Sequence, residues 1–311
     1  MSEKHLYPER VFITDVGPRD GLQMEKKVLS TDRKIELIAG LAAAGVPAVQ
    51  VASFVHPGKV PQMADAEAVI DRLPPNSGVV YSALTLNLKG VERACATAVP
   101  WIEVSFSASE RQGRDNAGMS VSQAADEAVK MVAMAHGLGR KVRGSIQCCF
   151  GCVDACEISV SDVARLARLL LDQGVDVLVL ADTTGMAGPG EIRRTLEAVL
   201  PLCGATPLCL HLHDTRALGL VNLMAGLEMG VTHFDTSLGG LGGCPFVHGA
   251  AGNIATEDTV HLFNRLGVQT GIDIEKVAGC SRGLSESLGH TLSGKLYRLE
   301  DPATPDCRRP V

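Results

Sequence analysis

The chain has 311 residues, of which 46% are apolar and 21% are charged, and its formal net charge is −6. This acidic balance predicts no broad basic surface, so neither nucleic acid nor a membrane surface is expected as a partner. No window approaches the ~18 uninterrupted apolar residues of a membrane span, and the first residues lack a secretory apolar segment. The ten cysteines are therefore expected as free thiols in a reducing compartment, which predicts a cytoplasmic protein.

Strand and helix patterns alternate along the chain with little interruption. Short apolar runs predict the strands, and longer amphipathic runs predict the helices. Thr31 and Ser120 are the expected N-caps of two helices, and the segment from the fourth strand through Gly118 is expected as a polar loop. In chain order the predicted elements are strand 11–16, helix 32–44, strand 48–53, helix 64–73, strand 78–84, helix 88–98, strand 101–106, helix 121–138, strand 141–147, helix 161–173, strand 175–181, helix 189–200, strand 207–212, helix 217–229, strand 233–237, helix 256–266 and helix 274–288.

Eight strand–helix units in one run predict a (β/α)8 TIM barrel, with the last segment as an extra C-terminal helix. A doubly wound parallel sheet is the alternative, and it predicts a Gly-x-Gly-x-x-Gly turn after the first strand. Gly17-Pro18-Arg19-Asp20-Gly21 does not provide that turn. The chain has no strong linker and no low-complexity tract, so we expect a single domain over residues 1–311.

Polar residues end or follow several of the predicted strands. In a barrel the carboxyl ends of all strands face one mouth, so these side chains are expected to meet there. Taken singly, each is explained by a loop cap, a turn or a satisfied core polar group, but together they gather a carboxylate, two imidazoles and an arginine at one pole. The set comprises Arg19, Asp20, Gln50, Ser53, Arg143, Gln147, Cys148, Asp182, Thr183, Thr184, His211, His213, Asp235 and Ser237.

His211 and His213 end the apolar run 206–213. On a strand these two residues point to the same face, so both imidazoles converge on one point. With Asp20 they form a set of one carboxylate and two imidazoles, which fits Mg²⁺, Mn²⁺ or a similar divalent ion with positions open for water or substrate. Such an ion would polarise hydroxyl and carbonyl oxygens, and Arg19 could stabilise a developing enolate oxygen.

Two cysteine-bearing segments flank the expected mouth. The run Gly239-Gly240-Leu241-Gly242-Gly243-Cys244-Pro245 is interpreted as a plain connector, as a phosphate nest or as a hinged lid with a reactive thiol, and the cysteine favours the lid. The spacing of Cys148, Cys149, Cys152 and Cys156 is not a common cluster order, so loop thiols are favoured over a zinc or iron–sulfur site.

Seven segments carry a resemblance that runs over roughly residues 10 to 290. They are Gly17-Pro-Arg-Asp-Gly-Leu-Gln-Met-Glu25, Ser53-Phe-Val55, Val60-Pro-Gln-Met63, Leu86-Asn-Leu-Lys-Gly90, Asp182-Thr183, His211-Leu-His-Asp-Thr215 and residues 239–258. Together they resemble the 3-hydroxy-3-methylglutaryl-CoA lyase family. The Gly-Leu-Gly-Gly-Cys-Pro run is specific to the lyase branch, whereas the Arg-Asp and His-x-His elements are shared with metal-dependent barrel aldolases and Claisen condensing enzymes.

The resemblance implies a metal-dependent reaction that splits a 3-hydroxy-3-methylglutaryl thioester, or a related 3-hydroxyacyl-CoA, into acetyl-CoA and acetoacetate or a related oxo acid. It implies Arg19 as the enolate stabiliser, Cys244 as a catalytic loop thiol and Asp182 as a further active-site polar residue. His211 and Asp20 are both candidates for handling the hydroxyl proton. The implied metal ligands are Asp20, His211, His213 and Asn253.

The same resemblance implies an acyl-CoA substrate and a homodimer. The residues expected to contact the substrate are Gln23, Gln50, Ser53, Arg143 and Thr183.

Two departures from the family pattern bear on the substrate. Gln50 stands where the family has a glutamate, and it keeps an acceptor but loses the charge and the capacity to take a proton. The loop 151–156 also differs from the usual Gly-Cys-Pro-Tyr-Glu-Gly. Two alternative functions therefore stay open: a Claisen-type synthase that joins acetyl-CoA to a 2-oxo acid, and a non-catalytic barrel that binds CoA or metal.

Overall fold

Eight parallel strands close into a barrel in the computed structural model, which describes residues 7–74, 78–151, 158–243 and 251–300. Strands that follow each other in the chain pair with each other, and the eighth pairs with the first, so the predicted TIM barrel is confirmed. The strands are β1 (Phe12–Asp15), β2 (Ala48–Ser53), β3 (Val80–Thr85), β4 (Trp101–Ser107), β5 (Lys141–Gln147), β6 (Val177–Asp182), β7 (Leu208–Leu212) and β8 (His233–Thr236).

Helices surround this barrel and bury the outer faces of its strands. Their apolar stripes place side chains such as Ile38, Leu166 and Phe263 in a core with no solvent exposure. β2 is buried along its whole length, as expected for a parallel strand that is covered on both faces. The helices of the described residues are α1 (Thr31–Ala43), α2 (Ala66–Asp71), α3 (Leu88–Cys95), α4 (Glu110–Ala117), α5 (Val121–Gly137), α6 (Val160–Asp172), α7 (Pro189–Cys203), α8 (Gly219–Glu228), α9 (Thr256–Arg265) and α10 (Ile274–Leu288).

The predicted extra C-terminal helix is present as α10, and two other local predictions are corrected. The polar loop expected after β4 contains α4, which Ser109 caps through the backbone N–H of Gln112 and which Gly118 ends in the left-handed conformation. The N-cap of α1 is Ser30 and not Thr31, because the Ser30 side chain accepts the hydrogen bond from Arg33 N. Ser120 is the predicted cap of α5 and forms a capping box with Gln123.

None of the helices in the described ranges combines the length and apolar character that a membrane crossing needs.

Candidate active site

A cleft of about 420 Å³ lies at the mouth of the barrel. Residues after β1, on β4 and β5 and at the ends of β6 and β7 form its wall. Of the residues predicted at the mouth, those that line it are Arg19, Asp20, Gln23, Gln147, Thr183, His211 and His213. The carboxyl ends of these strands therefore meet at one polar opening, as the barrel geometry requires.

Asp20, His211 and His213 form a compact buried cluster in this cleft. Their ligand atoms all lie within 4.8 Å of one another. Asp20 Oδ2 is 3.9 Å from Nε2 of each histidine, and the two Nε2 atoms are 3.1 Å apart. The fold thus brings Asp20 to two histidines that lie about 190 residues further along the chain. We call these three residues the mouth cluster.

A single turn of π-helix after β1 carries Arg19 and Asp20. The turn runs from Gly17 to Gly21, and Val16 O accepts hydrogen bonds from the N–H groups of Arg19 and Asp20 at 3.1 and 2.7 Å. Asp15 holds its start, because Asp15 Oδ1 accepts the Gly17 N–H at 2.8 Å. A Cβ at Gly17 would lie 2.2 Å from Leu238 Cδ2, so the chain can pass here only as glycine.

A bridge between two loops places Asn253 beside the mouth cluster. His213 and Asn253 form an isolated antiparallel bridge, and Asn253 Nδ2 donates to Asp20 Oδ2 at 2.8 Å and to Leu241 O at 3.1 Å. Gly242 has φ +138°, and a Cβ there would lie 2.6 Å from Asn253 Nδ2. The glycine-rich segment therefore lets the backbone approach the amide closely.

The titratable groups of the mouth cluster shift each other's pKa values. Burial disfavours a charged Asp20, but Arg19, His211 and His213 outweigh it and lower the pKa of Asp20 to about 2. Burial and the neighbouring His211 lower the pKa of His213 to about 4. At His211 burial lowers the pKa, but the hydrogen bond to Asp235 and the charges of Asp20 and Asp235 together outweigh it and raise that pKa above its ordinary value. The protein alone thus keeps a carboxylate and at least one neutral imidazole at neutral pH.

The donors of the mouth cluster fit a divalent metal ion. A triangle with the measured sides of 3.9, 3.9 and 3.1 Å has a point about 2.1 Å from all three atoms, close to the metal–ligand distance of Mg²⁺ and similar ions. Asn253 Oδ1, beside the cluster, is buried and has no hydrogen-bond partner among the described residues. A carboxylate, two imidazoles and an amide are the ligand types that such ions accept in open six-coordinate sites.

A second group of charges lies deeper in the barrel, and we call Glu103, Arg143 and Asp235 the inner layer. Arg143 Nε donates to Glu103 Oε2 at 3.0 Å, Nη1 to Thr14 Oγ1 at 2.9 Å and Nη2 to both Asp235 oxygens at 2.7 and 2.8 Å. Burial opposes the charge of Arg143, but Asp235 and Glu103 outweigh it and raise its pKa above the ordinary value. Every nitrogen of the Arg143 guanidinium therefore has a partner, and its charge is balanced by two carboxylates.

The inner layer corrects the prediction for Arg143. This residue was expected at the mouth as a substrate contact, but it is the third residue of β5 and lines a cavity at the opposite, amino-terminal end of the barrel together with Phe12 and Trp101. Its position along the strand sets this depth, because inward-facing residues of a barrel strand stack in layers. Its guanidinium therefore does not face the cleft.

Several other predicted residues do not line the cleft, among them Asp182, Ser53 and Gln50. Asp182 is fully buried at the end of β6, and its carboxylate accepts the N–H groups of Met186 and Ala187 at 3.1 and 3.2 Å. Burial raises the pKa of Asp182 to about 6. Ser53 and Gln50 are also fully buried on β2. These three side chains are thus buried behind the residues that line the cleft. Cys244, the predicted catalytic thiol, lies outside the described residues.

Sequence reasoning missed Glu103, which lines the cleft and binds Gln50. Gln50 Oε1 accepts a hydrogen bond from Arg19 Nε, and Gln50 Nε2 donates to Glu103 Oε2 at 2.8 Å. The only signal in the sequence was a single glutamate inside the apolar run Trp101–Ser107. A charged residue within a buried strand requires a partner, and that requirement could have marked it.

Comparisons with known proteins agree on one family. Residues 10–283 match the HMGL-like family. The chain is 38% identical over 289 residues to the mitochondrial hydroxymethylglutaryl-CoA lyase of Mus musculus. This alignment covers 93% of this chain and 89% of that protein.

Two solved structures are similar over nearly the whole chain. The hydroxymethylglutaryl-CoA lyase of Pseudomonas aeruginosa superposes with a TM-score of 0.90 at 37% identity, covering 94% of this chain and 97% of that one. An HMG-CoA lyase of Acinetobacter baumannii, solved in complex with coenzyme A and 3-methylmalate, has a TM-score of 0.90 at 36% identity, covering 96% and 97%.

Proposed function

The chain belongs to the HMGL-like family, and we propose that it is a carbon–carbon lyase that cleaves 3-hydroxy-3-methylglutaryl-CoA to acetoacetate and acetyl-CoA. The observation that carries this proposal is the meeting of Asp20, His211 and His213 beside Arg19 in the cleft. A divalent ion and a guanidinium side by side suit a substrate whose oxygens gain negative charge during the reaction.

The metal of this site is proposed to be Mg²⁺ or Mn²⁺, held by Asp20, His211 and His213, with Asn253 as the fourth ligand. When bound, such an ion polarises neighbouring hydroxyl and carbonyl oxygens of a substrate and lowers the pKa of the hydroxyl. Asp235 supports this arrangement, because its Oδ2 lies 3.3 Å from His211 Nδ1 and so fixes the ring.

Cleavage requires two proton movements and one bond rupture. The tertiary hydroxyl gives its proton to the protein, the C2–C3 bond breaks, and its electron pair moves into the thioester as an enolate while C3 becomes the ketone of acetoacetate. The enolate carbon then takes a proton to give acetyl-CoA. We assign the first proton to His211 or Asp20, which meet at the cleft floor, and the second to the thiol of Cys244.

Arg19 is proposed to stabilise the enolate oxygen. It is 6% exposed and lines the cleft. Its hydrogen bonds to Gln50 and Asp20 fix the plane of the guanidinium, so no reorganisation is needed when negative charge appears. Gln23 and Thr183 also line the cleft and are proposed as contacts to the acyl group.

Product analysis tests this function. The purified protein is stripped with a chelator, reloaded with Mg²⁺ or Mn²⁺ and given 3-hydroxy-3-methylglutaryl-CoA. We expect acetoacetate and acetyl-CoA in equal amounts with either ion and none with the chelated protein. Folded, metal-loaded protein that releases no acetoacetate would contradict the proposal. A parallel incubation with acetyl-CoA and a panel of 2-oxo acids, read as free CoA, tests the synthase alternative.

The protein is also proposed to be a cytoplasmic homodimer. Cys149, Cys203 and Cys209 are buried free thiols, as a reducing compartment allows. Light scattering of the purified protein tests the dimer, and fractionation of cells with an antibody tests the compartment. A monomer, or a signal in another fraction, contradicts the respective statement.

A further inference from the structure

The amide of Gln50 connects the mouth of the barrel to the inner layer. It is fully buried on β2 and has a charged partner at each end, since Oε1 accepts from Arg19 Nε and Nε2 donates to Glu103 Oε2 at 2.8 Å. The partners decide which way the amide points, because a guanidinium can only donate and a carboxylate can only accept. The oxygen of Gln50 therefore faces Arg19.

Arg143 of the inner layer in turn holds Glu103. Its Oε2 also accepts from Arg143 Nε at 3.0 Å, and Arg143 is anchored on Asp235. The side chain of Glu103 is 5% exposed, so its charge depends on these partners. A continuous line of hydrogen bonds thus runs from the anchored inner layer through Glu103 and Gln50 to Arg19.

We propose that Glu103 is a positioning residue for Arg19 and that it acts through Gln50. Glu103 fixes the amide, the amide fixes Arg19 Nε, and the guanidinium plane is thereby set relative to the cleft. The pair requires one amide and one carboxylate, one at position 50 and the other at 103. The activity readout of this proposal rests on the proposed lyase function.

The physical reason for this requirement is the short distance between the two side chains. In Gln50→Glu, two carboxylates would meet at the 2.8 Å now occupied by a hydrogen bond, and one of them must take up a proton or move away. In Glu103→Gln, two amides meet, and the amide at 50 is free to turn its NH2 group towards Arg19, which cannot accept it. Either single change therefore removes the fixed order of donor and acceptor that holds the guanidinium in its plane, and we expect the guanidinium to shift.

The double exchange should restore the arrangement. In Gln50→Glu/Glu103→Gln, the carboxylate at 50 accepts from Arg19, and the amide at 103 donates to that carboxylate while its oxygen accepts from Arg143. The formal charge of the network is unchanged. A purely local structural role for Glu103 would not predict this rescue.

Steady-state kinetics on the four proteins tests the proposal. We expect each single variant to lower kcat by about 10- to 100-fold with a KM within about threefold of the original, since a misplaced group costs rate more than binding. The double variant should return kcat to within about fivefold. Asp176→Asn is the matched control. Asp176 Oδ2 accepts the Val142 N–H at the amino end of β5, away from the cleft, so the kcat of this variant should not change.

Crystal structures of the same four proteins give a readout that does not depend on activity. We expect the Arg19 guanidinium to be displaced in both single variants and to return in the double variant. Additive losses in the double variant, or an unmoved Arg19 in the single variants, would overturn the proposal. If the original protein shows no lyase activity, the proposed function fails, and the position of Arg19 still decides the positioning role.

Discussion

The barrel contains two groups of buried charges that differ in how completely they are paired. In the inner layer, Arg143 makes hydrogen bonds with Glu103, Thr14 and Asp235, so each of its nitrogens has a protein partner. In the mouth cluster, His211 and His213 instead point their Nε2 atoms at each other across 3.1 Å and towards the carboxylate of Asp20. Both groups hold arginine or histidine against carboxylates, but only the mouth cluster has all its members on the wall of the cleft.

The difference teaches that burial of charge does not identify a functional site. Paired charges such as those of the inner layer fix side chains in place and contribute to a specific fold. Convergent donors that the protein does not satisfy by itself indicate a ligand, because a buried polar atom without a partner is costly. Asn253 Oδ1, on the amide whose Nδ2 binds Asp20, is such an atom within the described residues. The predictions below separate the two groups by what each loses on mutation.

The largest effect is expected in the mouth cluster. Asp20→Asn removes the charge that attracts a cation, so kcat/KM should fall by more than about 100-fold, which is the upper range for loss of a residue that only supports a ligand. Metal content and activity are measured on the same preparation. The metal-free variant should still fold, because the substitution removes one buried ion pair, that between Arg19 and Asp20. A variant that keeps both metal and activity would place the ion elsewhere.

The inner layer should respond in the opposite way. Arg143→Met leaves Glu103 and Asp235 buried without their shared partner, so the free energy of unfolding should fall by about 3–5 kcal/mol. Urea denaturation measures this quantity. Loss of activity at unchanged stability would show that Arg143 belongs to the chemistry and not to the support.

An effect that is smaller for each pH unit is expected at Glu257, a buried carboxyl that supports the glycine-rich loop by accepting Gly239 N–H at 3.0 Å. Burial, and to a lesser degree Asp258, raise its pKa from the ordinary 4.5 to about 8. Between these two values the unfolded chain has lost the proton while the folded chain keeps it. The contribution of Glu257 to the free energy of unfolding is therefore complete below about pH 4.5. It falls as pH rises towards 8, by up to about 1.4 kcal/mol for each pH unit.

Comparison with Glu257→Gln isolates this contribution. The amide keeps an acceptor for Gly239 but does not titrate, so its free energy of unfolding should decline less between pH 5 and 8. Asp15, whose pKa burial raises to about 7, contributes in the same direction in both proteins. Parallel curves for the two proteins would exclude Glu257 as the cause.

The smallest effect is expected outside the barrel. Ser120 caps α5 and shares a capping box with Gln123, so Ser120→Ala should cost about 1 kcal/mol of stability. Activity should stay unchanged because the helix terminus touches neither group of charges. Calorimetry and the acetoacetate assay test the two statements together.

The sequence predicts those elements whose pattern is regular. The bounds of β2, β5 and α10 agree with the predictions, because apolar runs and a clear N-cap at Asp273 mark them. It does not predict α4, whose eight residues Glu-Arg-Gln-Gly-Arg-Asp-Asn-Ala lack an apolar period. It also does not predict the π-turn at Gly17–Gly21, since that turn depends on contacts from Asp15 and Leu238.

The site residues also divide into those that a sequence pattern predicts and those that depend on tertiary contacts. The sequence was sufficient to group Asp20, His211 and His213 in one site, because barrel topology brings the carboxyl ends of strands together. The depth of Arg143 and the link from Glu103 to Gln50 could not, because both depend on which strand residues share a layer inside the barrel. Sequence position identifies the pole of a barrel more easily than the layer within it.

The most direct test of this account is a crystal structure of the protein with Mn²⁺, read from the anomalous signal of the ion. We predict one ion in the cleft, bound by Asp20 Oδ2, His211 Nε2 and His213 Nε2 at about 2.1–2.2 Å. An ion that binds elsewhere, or a cleft in which these three side chains hold no ion at saturating Mn²⁺, would contradict the account.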